Sequence, residues 1–241
     1  SREADYILGS GQEGRAYIAG ENGYLTILPL GWYSDHARWD LNPGYATNNK
    51  RFSRRVGPRC MSCHNGMVSF RPGSIHAFDD PLPNGLGCQR CHGPGADHVA
   101  DQIGQKTNGS ATGQVGTLVN PASLPPDLQE DICLQCHLVG DAAVPQPGFD
   151  YWGFRPGMRL RDVVSLFLDE SEADPFRAVG HGPQSLASAC YQKSGGQMTC
   201  TFCHRAHKPL SDFPAGFYNQ RCLECHSTQS CSRPLRAGET A

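Results

Sequence analysis

The sequence has little of three things that shape many proteins: hydrophobic residues, long apolar runs and an excess of charge of one sign. Only 38% of its 241 residues are hydrophobic. Its longest apolar stretches, such as residues 24–30 and 163–168, fall far short of the roughly 20 residues that span a bilayer. We therefore expect no transmembrane segment. Lys and Arg total 21 against 23 Asp and Glu, which argues against a nucleic-acid-binding surface.

Glycine, proline and cysteine are abundant instead, at 28, 18 and 12 residues. A chain of this kind forms few long elements and has little side-chain core for its size. We predict a mostly irregular, loop-rich fold with short α-helices and an N-terminal β-hairpin. The hairpin covers residues 17–30, with Asn22-Gly23 as its turn. An aromatic stretch at residues 32–39 follows, and we interpret residues 1–58 as a β-rich cap over the first cofactors.

Further along the chain the patterns are weaker. Residues 126–138 and 183–193 are predicted helices, the first with Pro126 at its start. Residues 99–124 are interpreted as a surface loop and 139–180 as a linker-like stretch, in which 163–168 could be a strand or a short helix. Residues 9–14 match G-x-G-x-x-G, but a dinucleotide site needs a helix after this motif, and the predicted hairpin follows instead.

Ten of the twelve cysteines form five C-x-x-C pairs, and a histidine follows each pair at once. Two Cys three residues apart project from the same face of a helical turn, where both sulfurs can bond the vinyl groups of one haem while the adjacent His reaches the iron. C-x-x-C-H is the attachment signature of c-type haem. The motif residues are Cys60, Cys63 and His64; Cys88, Cys91 and His92; Cys133, Cys136 and His137; Cys200, Cys203 and His204; and Cys222, Cys225 and His226.

The alternatives to haem are zinc half-sites, redox dithiols and a disulfide framework. An odd number of pairs fits paired zinc sites poorly, and neither a dithiol nor a disulfide requires His after every pair. The sequence therefore predicts five covalently attached haem c groups. Cys190 and Cys231 remain outside the motifs. They are predicted either to form a disulfide in an oxidising compartment or to stay as two thiols.

Five histidines lie outside the motifs, one for each predicted iron: His36, His76, His98, His181 and His207. Their number predicts five irons with two axial histidines each. Axial ligands lie on opposite faces of a porphyrin, so His207, three residues after His204, cannot cap the same iron. We expect His98 and His207 to ligate haems attached elsewhere in the chain. His36 is farthest from any motif, and could ligate within its own chain or a neighbouring one.

Each haem also brings about two propionates, for which nearby arginines are candidate partners. They are Arg54, Arg55, Arg59, Arg71, Arg90, Arg155, Arg159 and Arg161. An ordinary surface role is at least as good an interpretation for each of them.

The segment from Cys88 to Val99 resembles the CxxCHGPGxxHV segment of a bacterial multihaem cytochrome c family. Also similar are residues 119–121 ahead of the motif at 133–137, residues 194–200 ahead of His204 and His207, and residues 28–33 and 42–45. Members are often fused to tetratricopeptide repeats, which this sequence lacks. The resemblance implies an exported electron-transfer module with closely packed haems. It also implies that His98 and His207 are distal ligands.

These observations predict a pentahaem electron carrier rather than an enzyme, with residues 59–241 as the multihaem region and the cap as part of one compact unit. It could polymerise as an extracellular filament. The alternatives are a multihaem reductase with one open-coordinated haem, or an electron-transfer subunit docked to a membrane redox complex. Because haem is attached outside the cytoplasmic membrane, we expect a periplasmic or extracellular location. Expected partners are redox proteins or copies of the same chain, without nucleic acid.

Overall fold

The computed structural model describes residues 2–104, 118–138, 140–168 and 180–227. The chain divides into two compact units, residues 1–187 and 188–241. The elements of the first unit are β1 (Tyr6–Leu8), β2 (Gly14–Glu21), β3 (Tyr24–Tyr33), β4 (Arg38–Leu41), β5 (Arg55–Val56), α1 (Pro58–His64), α2 (Gln89–His92), α3 (Ala96–Gln102), α4 (Pro126–His137), β6 (Ala142–Pro145), β7 (Val164–Phe167) and α5 (His181–Ala187), with 3₁₀ turns at Pro121–Ser123 and Leu160–Asp162. Those of the second are α6 (Ala189–Lys193), α7 (Cys200–Cys203), a 3₁₀ turn at Leu210–Asp212 and α8 (Phe217–Leu223).

An antiparallel sheet occupies the N-terminal part of the first unit, with strand order β1-β2-β3-β4 and β5 paired to β3. The predicted hairpin is confirmed as β2 and β3, whose last pair is Glu21 with Tyr24. Asn22 and Gly23, the two residues between, have φ values of 53° and 81°. Two positive φ angles define the tight turn whose twist suits a hairpin.

The G-x-G-x-x-G match lies within this sheet. It begins just after β1 and ends at the first residue of β2, so a strand follows it and no helix does. The motif therefore lacks the helix that a dinucleotide-binding site needs after it.

Two apolar clusters hold the first unit together. Ile18, Leu25, Val56, Met61, Val68, Phe78 and Trp152 form the first, and Ile132, Leu134, Phe154, Leu160 and Val163 form the second. Trp152 is 2% exposed, and its indole Nε1 donates a hydrogen bond to the carbonyl of Gly66 at 3.0 Å. The first cluster joins the sheet to α1, and the second packs around α4.

The linker-like interpretation of residues 139–180 is wrong for their described part. The strands β6 and β7 pair antiparallel in this stretch, and it supplies buried residues to both clusters. The buried side chains of this stretch are Trp152, Phe154, Leu160 and Val163. They are spaced irregularly along a Gly- and Pro-rich segment, so the sequence shows no periodic signal there. Residues 169–179 lie outside the described residues.

Two other predictions need correction. The surface loop expected at residues 99–124 begins inside α3 and contains a 3₁₀ turn near its end, while residues 105–117 lie outside the described part. The helix expected at residues 183–193 is two short helices, α5 and α6. They are separated at Ser188, whose hydroxyl accepts a hydrogen bond from the backbone N–H of Tyr191 and so starts a new helix. Helix α4 begins at Pro126 as predicted.

The fold is therefore mixed and loop-rich, with short helices and an N-terminal antiparallel sheet, as the sequence predicts at this level. The division into a cap over residues 1–58 and a haem region over 59–241 stays a prediction. In the described part of the chain, no helix is long and apolar enough to cross a membrane.

Candidate haem-attachment site

Each C-x-x-C-H motif lies on or at the end of a short helix. The first and third motifs lie in α1 and α4, the second in α2, the fourth in α7, and the fifth at the C-terminus of α8. In the second, fourth and fifth motifs the His backbone N–H donates to the carbonyl of the first Cys, at 2.9, 2.9 and 3.0 Å. This single helical turn gives the two cysteines and the histidine the arrangement that haem attachment requires.

The three motif helices of the first unit come together around α4, which contacts both α1 and α2. The residues between the motif cysteines make the connections. The Arg90 guanidinium donates through Nη2 to the carbonyl of Ser62 at 2.9 Å, and the Gln135 amide donates to the carbonyl of Arg90 at 3.0 Å. Hydrogen bonds thus join the first motif to the second, and the second to the third.

Sulfurs from different motifs meet at this junction. Cys63 of the first motif lies 3.8 Å from the carbonyl oxygen of Gln135 and forms a hydrogen bond with the Cys136 thiol of the third. That hydrogen bond is the largest cause that lowers the pKa of Cys63 to about 6. The same bond, with burial, raises the pKa of Cys136. Two attachment sulfurs of different motifs are therefore in contact.

A second pair of motifs is close through Cys91 and Cys133. Burial raises the pKa of the Cys91 thiol, and the nearby Cys133 sulfur raises it further. The third motif therefore has one cysteine facing the first motif and the other near the second. In the second unit, burial raises the pKa of Cys203, with Cys222 of the fifth motif as the next cause, so the fourth and fifth motifs are also neighbours.

His92 is held from two sides by one residue. Its ring Nδ1 lies 2.9 Å from the carbonyl oxygen of Val119, and its own carbonyl accepts a hydrogen bond from the Val119 N–H at 2.7 Å. An imidazole that donates Nδ1–H to a carbonyl leaves Nε2 with its lone pair free for a metal. Val119 thus holds the His92 ring in an orientation that would suit a metal ligand.

One histidine outside the motifs lies beside a motif histidine. The rings of His181 and His137 have centroids 5.6 Å apart and planes at 85°. His181 begins α5, which packs against α4. A Cβ at Gly182 would collide with the Leu134 side chain and would lie 3.2 Å from the His137 carbonyl oxygen. Glycine at this position therefore allows the approach that brings the two rings together.

The other four histidines outside the motifs lie elsewhere. His36 is exposed in the turn between β3 and β4, and His76 is exposed in the loop after α1. His98 lies on α3 and lines a cavity of about 590 Å³ together with Cys88, so this distal candidate and an attachment cysteine share one space. His207 follows α7 in the second unit. Their roles as ligands, and the crossed ligation expected for His98 and His207, stay predictions.

The cavity beside Cys88 is lined mainly by apolar side chains, among them Val99, Ile103 and Leu118. Val99 and Ile103 are 57% and 66% exposed. A flat apolar cofactor attached at Cys88 would cover them. Within the described ranges, no three Cys, His, Asp or Glu side chains converge to hold a single metal ion by themselves.

Aromatic and basic side chains surround the motifs of the second unit. Phe213 and Phe217 stack with centroids 4.3 Å apart, and the guanidinium of Arg221 lies 5.3 Å from the Phe217 ring. The ring of His204 lies 6.0 Å from that of Tyr218. Cys190 is exposed and is a free thiol, whereas Cys231, its predicted disulfide partner, lies outside the described residues.

The sequence identified the motifs but missed how they connect. Ser62, Arg90 and Gln135 fill the variable positions of C-x-x-C, and nothing in their spacing indicates that they bond to one another. The pairing of His181 with His137 is a contact across 44 positions of sequence, with only the small Gly182 as a local hint.

Comparisons with known proteins agree with this picture. Residues 38–93, which contain the first two motifs, match the family model described as "Cytochrome c554 and c-prime". The crystal structure of the outer cell wall cytochrome OcwA matches with a TM-score of 0.50 and 19% identity, over 88% of this chain and 47% of that one. At this identity the match shows a similar fold, and the chain spans about half of the solved chain. No curated protein sequence matches. The predicted resemblance to multihaem c-type cytochromes is confirmed.

Proposed function

We propose that this chain is a pentahaem c-type cytochrome that conducts electrons through closely spaced haems, each ligated by two histidines. The contact between Cys63 and Cys136 is the observation that carries the proposal. A thioether places its sulfur one bond from a substituent of the porphyrin. Two sulfurs in contact would therefore bring the edges of two haems close together, and electron transfer is fast at short edge distances.

The neighbouring cysteines support close spacing of three of the haems. Cys136 faces the first motif, and Cys133 lies near the second. The haem at residues 133–137 would thus lie close to both of those at 60–64 and 88–92. In the second unit, Cys203 and Cys222 are neighbours in the same way, which supports a close pair formed by the fourth and fifth haems.

The residues present suit haem as the cofactor. Each motif offers two sulfurs and one imidazole on a single helical turn, and the Cys88 cavity offers apolar walls. The proximal ligands would be His64, His92, His137, His204 and His226, and the distal ones His36, His76, His98, His181 and His207. The haems supply one-electron redox chemistry, while the protein sets their spacing, orientation and potential.

His181 is the best-supported distal ligand. Imidazole nitrogens bind transition metals at about 2 Å, as in zinc sites. With the nitrogen about 1 Å from the ring centre, two rings facing one ion would have centroids on the order of 6 Å apart. The observed 5.6 Å between His137 and His181 is close to that separation. With His181 as its second ligand, this iron would have no open position for a substrate, which favours conduction over catalysis.

The site of action follows from the chemistry of attachment. Covalent haem is added outside the cytoplasmic membrane, so the chain would act in the periplasm or beyond the cell, with redox proteins as partners. Assembly with copies of itself into a filament extends the proposal. A single monomer species in sedimentation at high concentration would contradict that extension, and filaments in electron micrographs would support it.

Intact mass and EPR of the purified holoprotein test the proposal together. We expect the mass of the polypeptide plus five haems, and only low-spin iron in the resting state. Replacing Cys133 and Cys136 by Ser should remove one haem, while Cys190→Ser, outside any motif, should retain five. Fewer than five haems in the natural chain, or a high-spin iron at rest, would contradict the proposal. A high-spin iron would favour the reductase alternative.

A further inference from the structure

Arg90 lies at the meeting point of the three motifs of the first unit. It occupies the second variable position of Cys88-Gln-Arg-Cys91-His92 in α2. Its guanidinium bonds the first motif at the Ser62 carbonyl, and its carbonyl receives the Gln135 amide of the third. One residue therefore ties together the attachment segments of three proposed haems.

The charge of this side chain is only partly neutralised. Nη2 donates to a neutral carbonyl, and the described residues provide no carboxylate that pairs with it. Its Nε is buried without a hydrogen-bond partner there, as is Oε1 of Gln135. A cation that bonds only neutral groups and is partly removed from water exerts a stronger field on its neighbours than an exposed one.

That field falls on attachment cysteines of all three motifs. Arg90 directly precedes Cys91, its guanidinium bonds the carbonyl of Ser62, which precedes Cys63, and its carbonyl receives the amide of Gln135, which precedes Cys136. Thioethers and propionates are at opposite edges of a porphyrin. A guanidinium among the attachment sulfurs is therefore next to the thioether edges, and acts on the haems without needing a propionate partner.

We propose that Arg90 is a positioning residue that fixes the three attachment segments and whose positive charge raises the reduction potentials of the haems attached at residues 60–64, 88–92 and 133–137. This inference rests on the proposed function. Each haem takes up one electron from an external donor, with no bond formed or broken, and its net charge falls by one. A nearby cation stabilises the more negative, reduced form.

The test is a potentiometric titration of the holoprotein, followed by its visible spectrum. Arg90→Gln should shift three of the five one-electron components to lower potential, with about a tenfold change in each reduction equilibrium constant, which is about 59 mV for a one-electron couple. Arg90→Lys retains the positive charge, so the three potentials should stay close to those of the natural protein. Arg159→Gln is the matched control. It removes the same charge from a half-exposed ion pair with Asp127, and should leave all five components in place.

A second variant covers the case in which Arg90→Gln fails to load haem. Gln135→Glu leaves Arg90 intact and puts a negative charge on the residue that bonds the Arg90 carbonyl. It should lower the reduction potentials of the same three components. Unchanged potentials in the loaded variants, or equal shifts of all five components, would overturn the inference. Haem count and spin state of the natural protein report on the proposed function separately, so a failure of one is distinguishable from a failure of the other.

Discussion

Replacing His181 by Ala should open one iron and leave the other four closed. His181 is the first residue of α5, and its ring lies against that of His137, a motif histidine of α4. The Ala side chain has no group that can bind iron. With five attachment motifs and one spare histidine for each, we expect one iron in five to become high-spin, and the reduced protein to bind one equivalent of carbon monoxide.

The assay combines EPR spin quantification with a carbon monoxide titration of the dithionite-reduced protein. Gln184→Ala is the matched control, because Gln184 is exposed on the same short helix and its loss should leave every iron low-spin. His181→Met should close the iron again and raise the potential of that haem, since Met/His ligation has a higher potential than His/His. A His181→Ala protein that remains fully low-spin and binds no carbon monoxide would refute the assignment.

Three further predictions concern the fold. Trp152→Ala should destabilise the protein by about 3–5 kcal/mol, because the ring is 2% exposed; denaturant unfolding measures this, and a loss below about 1 kcal/mol would contradict the packing. Gly23→Ala should cost at least about 1–2 kcal/mol, since φ is +81° and a Cβ would lie 2.7 Å from the Phe78 carbonyl oxygen; an unchanged melting temperature would be the contrary result. Tyr6 donates to Asp80 at 2.6 Å, a bond that raises the pKa of Tyr6 from 10.0 to about 12. Its contribution to stability is therefore complete below pH 10 and lost as the pH rises through 12, and Tyr6→Phe should remove that dependence from alkaline unfolding curves.

Local features of the fold could be predicted from the sequence. The Asn22-Gly23 turn needs two residues that tolerate positive φ, and both residues are of that type. Helix α4 has a proline at its start, a position that suits proline, so where this helix begins is also encoded locally. The break at Ser188 was missed because the hydroxyl that caps α6 interrupts a stretch whose composition otherwise suits one helix.

Long-range packing could not be predicted. Trp152 reaches the carbonyl of Gly66 across 86 positions of sequence, and it lies in a segment whose glycines and prolines indicate a linker. Its burial depends on how the chain after α4 folds back onto the first apolar cluster. Such contacts are set by the three-dimensional arrangement of the elements and have no periodic signature of their own.

The candidate site likewise has a part that the sequence predicts, the motifs, and a part that it does not, the links between them. The cysteines and the histidine of each C-x-x-C-H motif are adjacent in sequence and lie within about one helical turn, so the motif can be recognised without knowledge of the fold. The links between motifs depend instead on which helices meet, and the polar residues that form them, such as Arg90 and Gln135, occupy positions that any residue type could fill.

The central place of α4 gives the third motif two neighbours in the first unit. Its two cysteines face different motifs, and the first and second motifs are also joined directly, by the hydrogen bond from Arg90 to the Ser62 carbonyl. The three proposed haems would therefore form a closed set in which each has two neighbours. Loss of any one of them would leave the other two linked, so damage at one site would slow the current through this unit without stopping it.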